Sequence, residues 1–174
     1  MLTLISGTNR SESYTRIITE HYHNVLKDMN IDHCLWDLCA IDLQDSLSSY
    51  YMQLPKSLIQ VQEELLIPAE KFIIITPEYN GSYSGIFKLL IDLLDSKSCW
   101  NNKKALLTGV STGRAGNLRG MDHLAATLEH MHCFVHPYKF PISNVHLELD
   151  ENKKLKNENT CFAISTQINS FINW

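Results

Sequence analysis

The sequence predicts an open, doubly wound α/β sandwich: five parallel strands in the order 2-1-3-4-5, with helices on both faces. Three observations point to it. Short apolar, β-rich runs alternate with segments of helical periodicity along the chain. Those runs are continuously apolar rather than alternating, as parallel strands covered on both faces are. All seven glycines fall in three places, at Gly7, at Gly81 and Gly85, and at Gly109, Gly113, Gly116 and Gly120. Each group follows the first, third or fourth strand. In such a sheet ligands bind beyond the carboxyl ends of the strands, where the order reverses. With order 2-1-3-4-5 that point lies between strands one and three, beside strand four.

Each element has its own signal. Met1–Ser6 reads as a buried strand. From Ser13 the pattern turns helical, with Ile17, Ile18, Tyr22, Val25 and Leu26 on one face at 3.6 spacing. Asp32–Leu38 is the second strand. Lys56–Leu66 is helical and stops at Pro68. Lys71–Thr76, with three consecutive isoleucines, is the clearest strand. Ile86–Asp95 is helical, and Lys104–Val110 is the fourth strand. Leu118, Met121, Leu124, Ala125, Leu128 and Met131 make a helical stripe. Cys133–His136 is the fifth strand. Cys161–Ile172 closes the pattern, with Phe162, Ser165, Ile168 and Phe171–Ile172 expected to face inward. Segment 39–56 is polar and irregular, and segment 137–160 is expected to hold a turn around Asp150-Glu151-Asn152. No repeat or linker divides the chain, so one domain over residues 1–174 is expected.

Composition narrows the function. The 174 residues carry 15 Lys+Arg against 19 Asp+Glu, a net charge of −4, which argues against a nucleic-acid binder. No apolar run approaches the roughly 20 residues that span a bilayer, and the N-terminus lacks the features of an export signal. A cytoplasmic protein is therefore expected. The cysteines, Cys34, Cys39, Cys99, Cys133 and Cys161, are odd in number and lack CxxC spacing, so they read as reduced thiols. His123, His130 and His132 have no carboxylate or thiol to complete a metal set.

The three glycine-bearing loops carry the chemistry. Loop one runs Gly7-Thr8-Asn9-Arg10-Ser11-Glu12-Ser13-Tyr14-Thr15 into a helix. It offers hydroxyls, a guanidinium and the free amides of a helix start, which suit a phosphate. Ser11 or Ser13 also serves as an N-cap in the plainer interpretation. Neither GxxxxGK[ST] nor GxGxxG is present. Loop two, Thr76-Pro77-Glu78-Tyr79-Asn80-Gly81-Ser82-Tyr83-Ser84-Gly85, offers flat aromatic faces and amides suited to a planar heterocycle. Loop three, Thr108 to Asn117, has glycines expected to let backbone approach a ligand edge.

Together the segments Gly-Thr-x-Arg-x-x-Ser-x-Thr at 7–15, Thr-Pro-Glu-Tyr-Asn-Gly-Ser at 76–82, Ser-Gly-Ile-Phe-Lys at 84–88 and Ser-Thr-Gly-Arg-Ala-Gly at 111–116 resemble the NAD(P)H-dependent FMN reductase family. That flavodoxin-like family includes azoreductases, quinone reductases and chromate reductases. The resemblance covers roughly residues 1–140. It implies that Thr8, Arg10, Ser13 and Thr15, with the Tyr14 amide, hold the FMN phosphate. Pro77, Glu78, Tyr79, Asn80 and Gly81 would line the isoalloxazine, mostly through backbone N–H groups. Ser111, Thr112, Gly113 and Gly116 would border the pyrimidine side. The family often has Pro where this chain has Ser84, and Gly-Gly where it has Ala115-Gly116.

The implied reaction is hydride transfer from NADPH or NADH to FMN, then to a small-molecule acceptor such as a flavin, quinone or azo compound, in ping-pong order. The flavin carries the chemistry, so no side chain is assigned a catalytic role; Glu78 is expected to contribute its amide. Two other classes compete. One is a non-enzymatic FMN carrier or redox sensor. The other is a serine hydrolase, since Gly109-Val110-Ser111-Thr112-Gly113 is a literal GxSxG that Asp122 and His136 could complete. The helix after loop two carries only Lys88, Asp92 and Asp95 as charges, more apolar than one sheet face requires, so a homodimer, or a tetramer built from it, is expected. Tyr50 and Tyr51 are candidates for a substrate lid.

Overall fold

A computed structural model describes residues 1–41 and 54–174; Tyr50 and Tyr51 lie outside the described residues. The strands are β1 (Leu2–Ser6), β2 (His33–Asp37), β3 (Lys71–Pro77), β4 (Lys104–Val110), β5 (Phe134–Val135) and β6 (Phe140–Ile142). They form one parallel sheet in the order β2-β1-β3-β4-β5, with β6 also pairing with β4. The predicted order therefore holds. The helices are α1 (Tyr14–Asp28), α2 (Lys56–Val61), α3 (Gly85–Leu93), α4 (Ser96–Trp100), α5 (Leu118–His130) and α6 (Glu158–Ile172). A wider π turn continues α2, with the Ile67 N–H donating five residues back to Gln62 O (2.8 Å).

Period-two alternation in the strands supplies both faces of the sheet. Phe72 and Ile74 point toward α2, α3, α4 and α5, where Leu58, Phe87, Leu90, Trp100, Leu124 and Leu128 join them. Ile73 and Ile75 point the other way, toward Ile18, Tyr22 and Leu26 of α1 and Ile164, Ile168 and Phe171 of α6. The five cysteines are free thiols, with Cys99 and Cys133 buried. No helix among the described residues is long and apolar enough to cross a membrane.

Two expectations are corrected. The fifth strand is split: β5 pairs with the start of β4 (Lys104↔Phe134, Ala105↔Val135) and β6 with its end (Thr108↔Phe140 to Val110↔Ile142). Between them the chain leaves the ladder, and Gln167 of α6 fills the gap. Its Nε2 donates to Leu107 O (3.2 Å) and Tyr138 O (2.8 Å), while its Oε1 accepts from Tyr22 OH (2.6 Å) and Thr108 Oγ1 (3.1 Å). A buried side-chain amide thus replaces missing ladder partners, as buried backbone groups require. Second, α6 begins three residues earlier than predicted, and its inner face runs through Ile164, Gln167, Ile168 and Phe171. Phe162 lies off that stripe and is 75% exposed.

Candidate functional site

Loop one is bound to β3 and to loop two. The Gly7 N–H donates to Ile75 O (2.8 Å), and Gly7 O accepts from Ser84 Oγ (2.6 Å). Ser84 is buried and also caps α3, accepting from the Phe87 N–H (3.3 Å). The serine that replaces the family's proline therefore joins two loops. Thr8 is fully buried; its Oγ1 shares a hydrogen bond with Tyr79 OH (2.7 Å) and accepts from the Arg10 N–H (3.3 Å). The Arg10 guanidinium stacks 4.1 Å from the Tyr79 ring centroid. Ser13 caps α1, accepting from the Arg16 N–H (3.3 Å). Arg16 donates to Ser11 O (3.0 Å) and pairs with Asp37 (2.9 Å), which anchors the outer limb of the loop. Thr15 is buried and Tyr14 is exposed.

These bonds leave a donor set unused. The amides of Asn9, Ser11, Glu12, Ser13, Tyr14 and Thr15 meet no acceptor among the described residues. They cluster at the N-terminus of α1 beside Arg10, where the helix dipole favours an anion. A groove of about 860 Å³ begins at this end, lined by Ser11, Ser13 and Tyr14, and runs along α1 past Glu20 and His23, with Leu35, Asp37 and residues 152–155 also bordering it; Arg10 and the residues of loops two and three do not line it. The buried hydroxyls of Ser6 and Thr76, at the carboxyl ends of adjacent strands, have no hydrogen-bond partner among the described residues.

Loop two turns sharply at Tyr79–Ser82, where the Tyr79 N–H donates to Ser82 O (2.9 Å) and the Ser82 N–H to Tyr79 O (3.1 Å). Asn80 (φ 53°) and Gly81 (φ 74°) both take the left-handed conformation that this turn demands. The amides of Asn80 and Gly81, at the centre of this turn, meet no acceptor among the described residues. The expected amide contribution from Glu78 is corrected, because its N–H donates to Val110 O (2.9 Å). Its carboxylate instead accepts from the Asn117 N–H (3.2 Å).

Asn117, which the sequence reasoning missed, holds loops two and three together. Buried at φ 64°, it donates through Nδ2 to Thr76 O (3.1 Å) and Pro77 O (2.8 Å). The available signal was an Asn directly before a helical stripe, since Asn tolerates that backbone region. The expected role of the loop-three glycines is also corrected. A Cβ on Gly109 would stand 2.2 Å from Gly116 O, and one on Gly116 (φ 56°) would stand 2.6 Å from Pro141 Cβ. Both are needed for packing the loop onto β4 and β6 rather than for ligand approach. Gly113 alone of the three is uncrowded, a Cβ there meeting only Ser111 Oγ at 3.9 Å, and the amides of Thr112 to Gly116 meet no acceptor among the described residues.

The hydrolase arrangement does not form. Ser111 Oγ donates to Gly113 O (3.0 Å), and Asp122 pairs with Lys139. The His136 N–H donates to Ala105 O, six residues back along β4 and so about 20 Å from Ser111. Among the described residues no three His, Cys, Asp or Glu side chains cluster as metal ligands.

A 2-1-3-4-5 sheet whose first, third and fourth loops are hydrogen-bonded to one another beyond the carboxyl ends of the strands, with an anion-ready helix start at one end, defines a flavodoxin-like nucleotide-binding fold. Residues 1–146 match the family model described as NADPH-dependent FMN reductase, and the chain belongs to that family. The NAD(P)H-dependent FMN reductase PA1204 of Pseudomonas aeruginosa is 30% identical over 98% of this chain and 92% of its own length. An NADPH azoreductase of a Bacillus species is 24% identical over 88% of this chain and 84% of its own. Among solved structures, the flavoenzyme NAD(P)H:(acceptor) oxidoreductase FerB of Paracoccus denitrificans shares the fold. Its TM-score is 0.78, with 19% identity, and the match covers 99% of this chain and 95% of that one. The chain is accordingly an oxidoreductase that works with FMN and NAD(P)H, which sets aside the carrier and sensor alternative. The unused amides at the start of α1 fit a phosphate, and those of residues 80–81 and 112–116 fit a polar ring edge.

Proposed function

We propose that the crevice binds FMN with its phosphate in loop one and its ring along loops two and three, and that the enzyme alternates between NAD(P)H and a small acceptor there. Thr8, Arg10, Ser13 and Thr15, with the amides around Tyr14, hold the phosphate. Pro77, Glu78, Tyr79, Asn80 and Gly81 line the ring, with the Asn80 and Gly81 amides as the available donors. Ser111, Thr112 and Gly113 border its pyrimidine side. When bound, FMN supplies the two-electron chemistry, taking a hydride from the nicotinamide and passing it on to the acceptor.

The protein's part is positioning. Donors aimed at one ring edge favour the extra negative charge of the reduced cofactor without needing a side-chain acid or base. The observation that carries this reading is the pattern of unused amides: those at the start of α1, at residues 80–81 and at residues 112–116 meet no acceptor among the described residues, on loops that are hydrogen-bonded to one another. One shared ring face admits one partner at a time, hence ping-pong order. The acceptor class we favour is a quinone, azo compound or free flavin, in line with the activities for which the relatives are named. Anaerobic addition of NADPH to the FMN-loaded protein is expected to bleach its visible absorbance, and an acceptor to restore it, with parallel double-reciprocal lines at varied acceptor. Intersecting lines contradict the alternating order; an unbleached spectrum contradicts the reading as a whole.

A further inference from the structure

We propose that Arg114 and Arg119, at the entry to α5, form an anion subsite at the mouth of the crevice. It receives the negatively charged group of the molecule that exchanges electrons with FMN, and it rests on the FMN site proposed above. The first observation is placement. Arg119 Nη1 lies 3.1 Å from where a Cβ on Gly81 would stand, so its guanidinium lies against the Asn80-Gly81 turn. One helical turn on, His123 Nδ1 shares a hydrogen bond with Ser82 Oγ (3.0 Å), which fixes α5 to the same turn.

The second observation is charge. Both arginines are exposed, and neither pairs with a carboxylate among the described residues. The nearby acids are already engaged: Glu78 by the Asn117 N–H and Asp122 by Lys139. A chain of net charge −4 thus presents two guanidiniums unpaired with any carboxylate among the described residues, Arg119 against the loop-two turn and Arg114 in loop three.

The third is a broken local rule. The first turn of a helix favours Asp or Glu, because the dipole leaves positive charge there. The first turn of α5 has no acid, and it carries Arg119 with Arg114 just ahead. Cations stand where the helix itself prefers an anion, beside the unused amides of residues 112–116. Such local conflicts collect at functional sites. An incoming oxyanion resolves this one, since the guanidinium fork and the helix end both favour it.

Phosphate, sulfonate and carboxylate share the required chemistry. The source is either the 2′-phosphate of NADPH or an anionic group on the acceptor. Steady-state kinetics of the FMN-loaded enzyme, Arg119→Gln and Arg114→Gln/Arg119→Gln distinguish them, with bound flavin quantified by absorbance in every sample. If the donor is the source, KM for NADPH rises about tenfold while KM for NADH moves less than about twofold, as for loss of one charged contact. If the acceptor is the source, KM rises for a sulfonated azo dye and not for an uncharged benzoquinone. In either case Arg119→Lys recovers part of the loss, and added salt narrows the gap to wild type. Equal KM changes for charged and uncharged partners, or none, overturn the subsite. Variants that retain flavin confine that failure to the subsite; failure of the wild type to hold flavin is failure of the underlying site.

Discussion

Ser84 illustrates how much one side chain carries here. Its hydroxyl donates to Gly7 O and accepts from the Phe87 N–H, so it closes loop one over loop two and starts α3 in the same act. Alanine would leave a buried carbonyl without its donor and a helix without its cap. Each of those losses is worth about 1–2 kcal/mol. Ser84→Ala is therefore expected to lower unfolding free energy by about 2–3 kcal/mol in urea titration, and to weaken FMN binding as loop one loosens. A loss below about 0.5 kcal/mol would show that the contact is incidental. Thr8 and Arg10 make a similar link from the other side, both through Tyr79.

At the scale of elements, legibility depended on how local the cause was. β1, β3 and β4 are continuous apolar runs that nothing else explains, and their bounds were predicted within a residue or so. The break between β5 and β6 was not legible, because its backbone is satisfied by Gln167, about thirty residues further along. Phe162 misled for a related reason: its apolar character fitted a stripe whose true phase is set by Ile164, Ile168 and Phe171 packing on the sheet. In the candidate site, the three loops and their convergence were readable from glycine placement. The use of those glycines was not, since Gly109, Gly116 and Pro141 meet only in three dimensions. Helix α3 is a mixed case. Phe87, Leu90 and Ile91 are buried within the subunit, which absorbs much of the apolar excess. Ile86, Leu89 and Leu93 remain only half-buried, at spacings that share a face. We propose that this stripe meets a second copy of the chain. Sedimentation at micromolar concentration is expected to give a dimer that Leu89→Lys dissociates; a wild-type monomer would end the idea.

The whole molecule carries a pH signature set by its histidines. Burial lowers the pKa of His21, His23 and His136 below the ordinary 6.5, and neighbouring charges act on two of them: His33 and Lys27 on His23, and Lys71 on His136. For His136 the geometry agrees, because its Nδ1 accepts from the Tyr138 N–H (3.2 Å) and must be unprotonated to do so. Below pH 6.5 the unfolded chain thus binds more protons than the folded one, and stability rises with pH through that window. The contribution is fully present above about pH 6.5 and is lost as pH falls toward the folded pKa values. Urea midpoints are expected to drop between about pH 7 and pH 5, with a shallower slope for His136→Asn. A midpoint that rises on acidification would contradict the assignment.

The central claim is that three separate loops form one FMN site whose phosphate end is loop one. Titration of flavin fluorescence tests it most directly, with wild-type protein and Arg10→Ala run side by side. The account predicts saturable, stoichiometric quenching of FMN by the wild type. Arg10→Ala should bind about 10- to 150-fold more weakly, as for about 1.5–3 kcal/mol lost from a charged hydrogen bond, while riboflavin, which lacks the phosphate, should bind both proteins alike. Full fluorescence at every protein concentration, or equal FMN affinity for the two proteins, would contradict it.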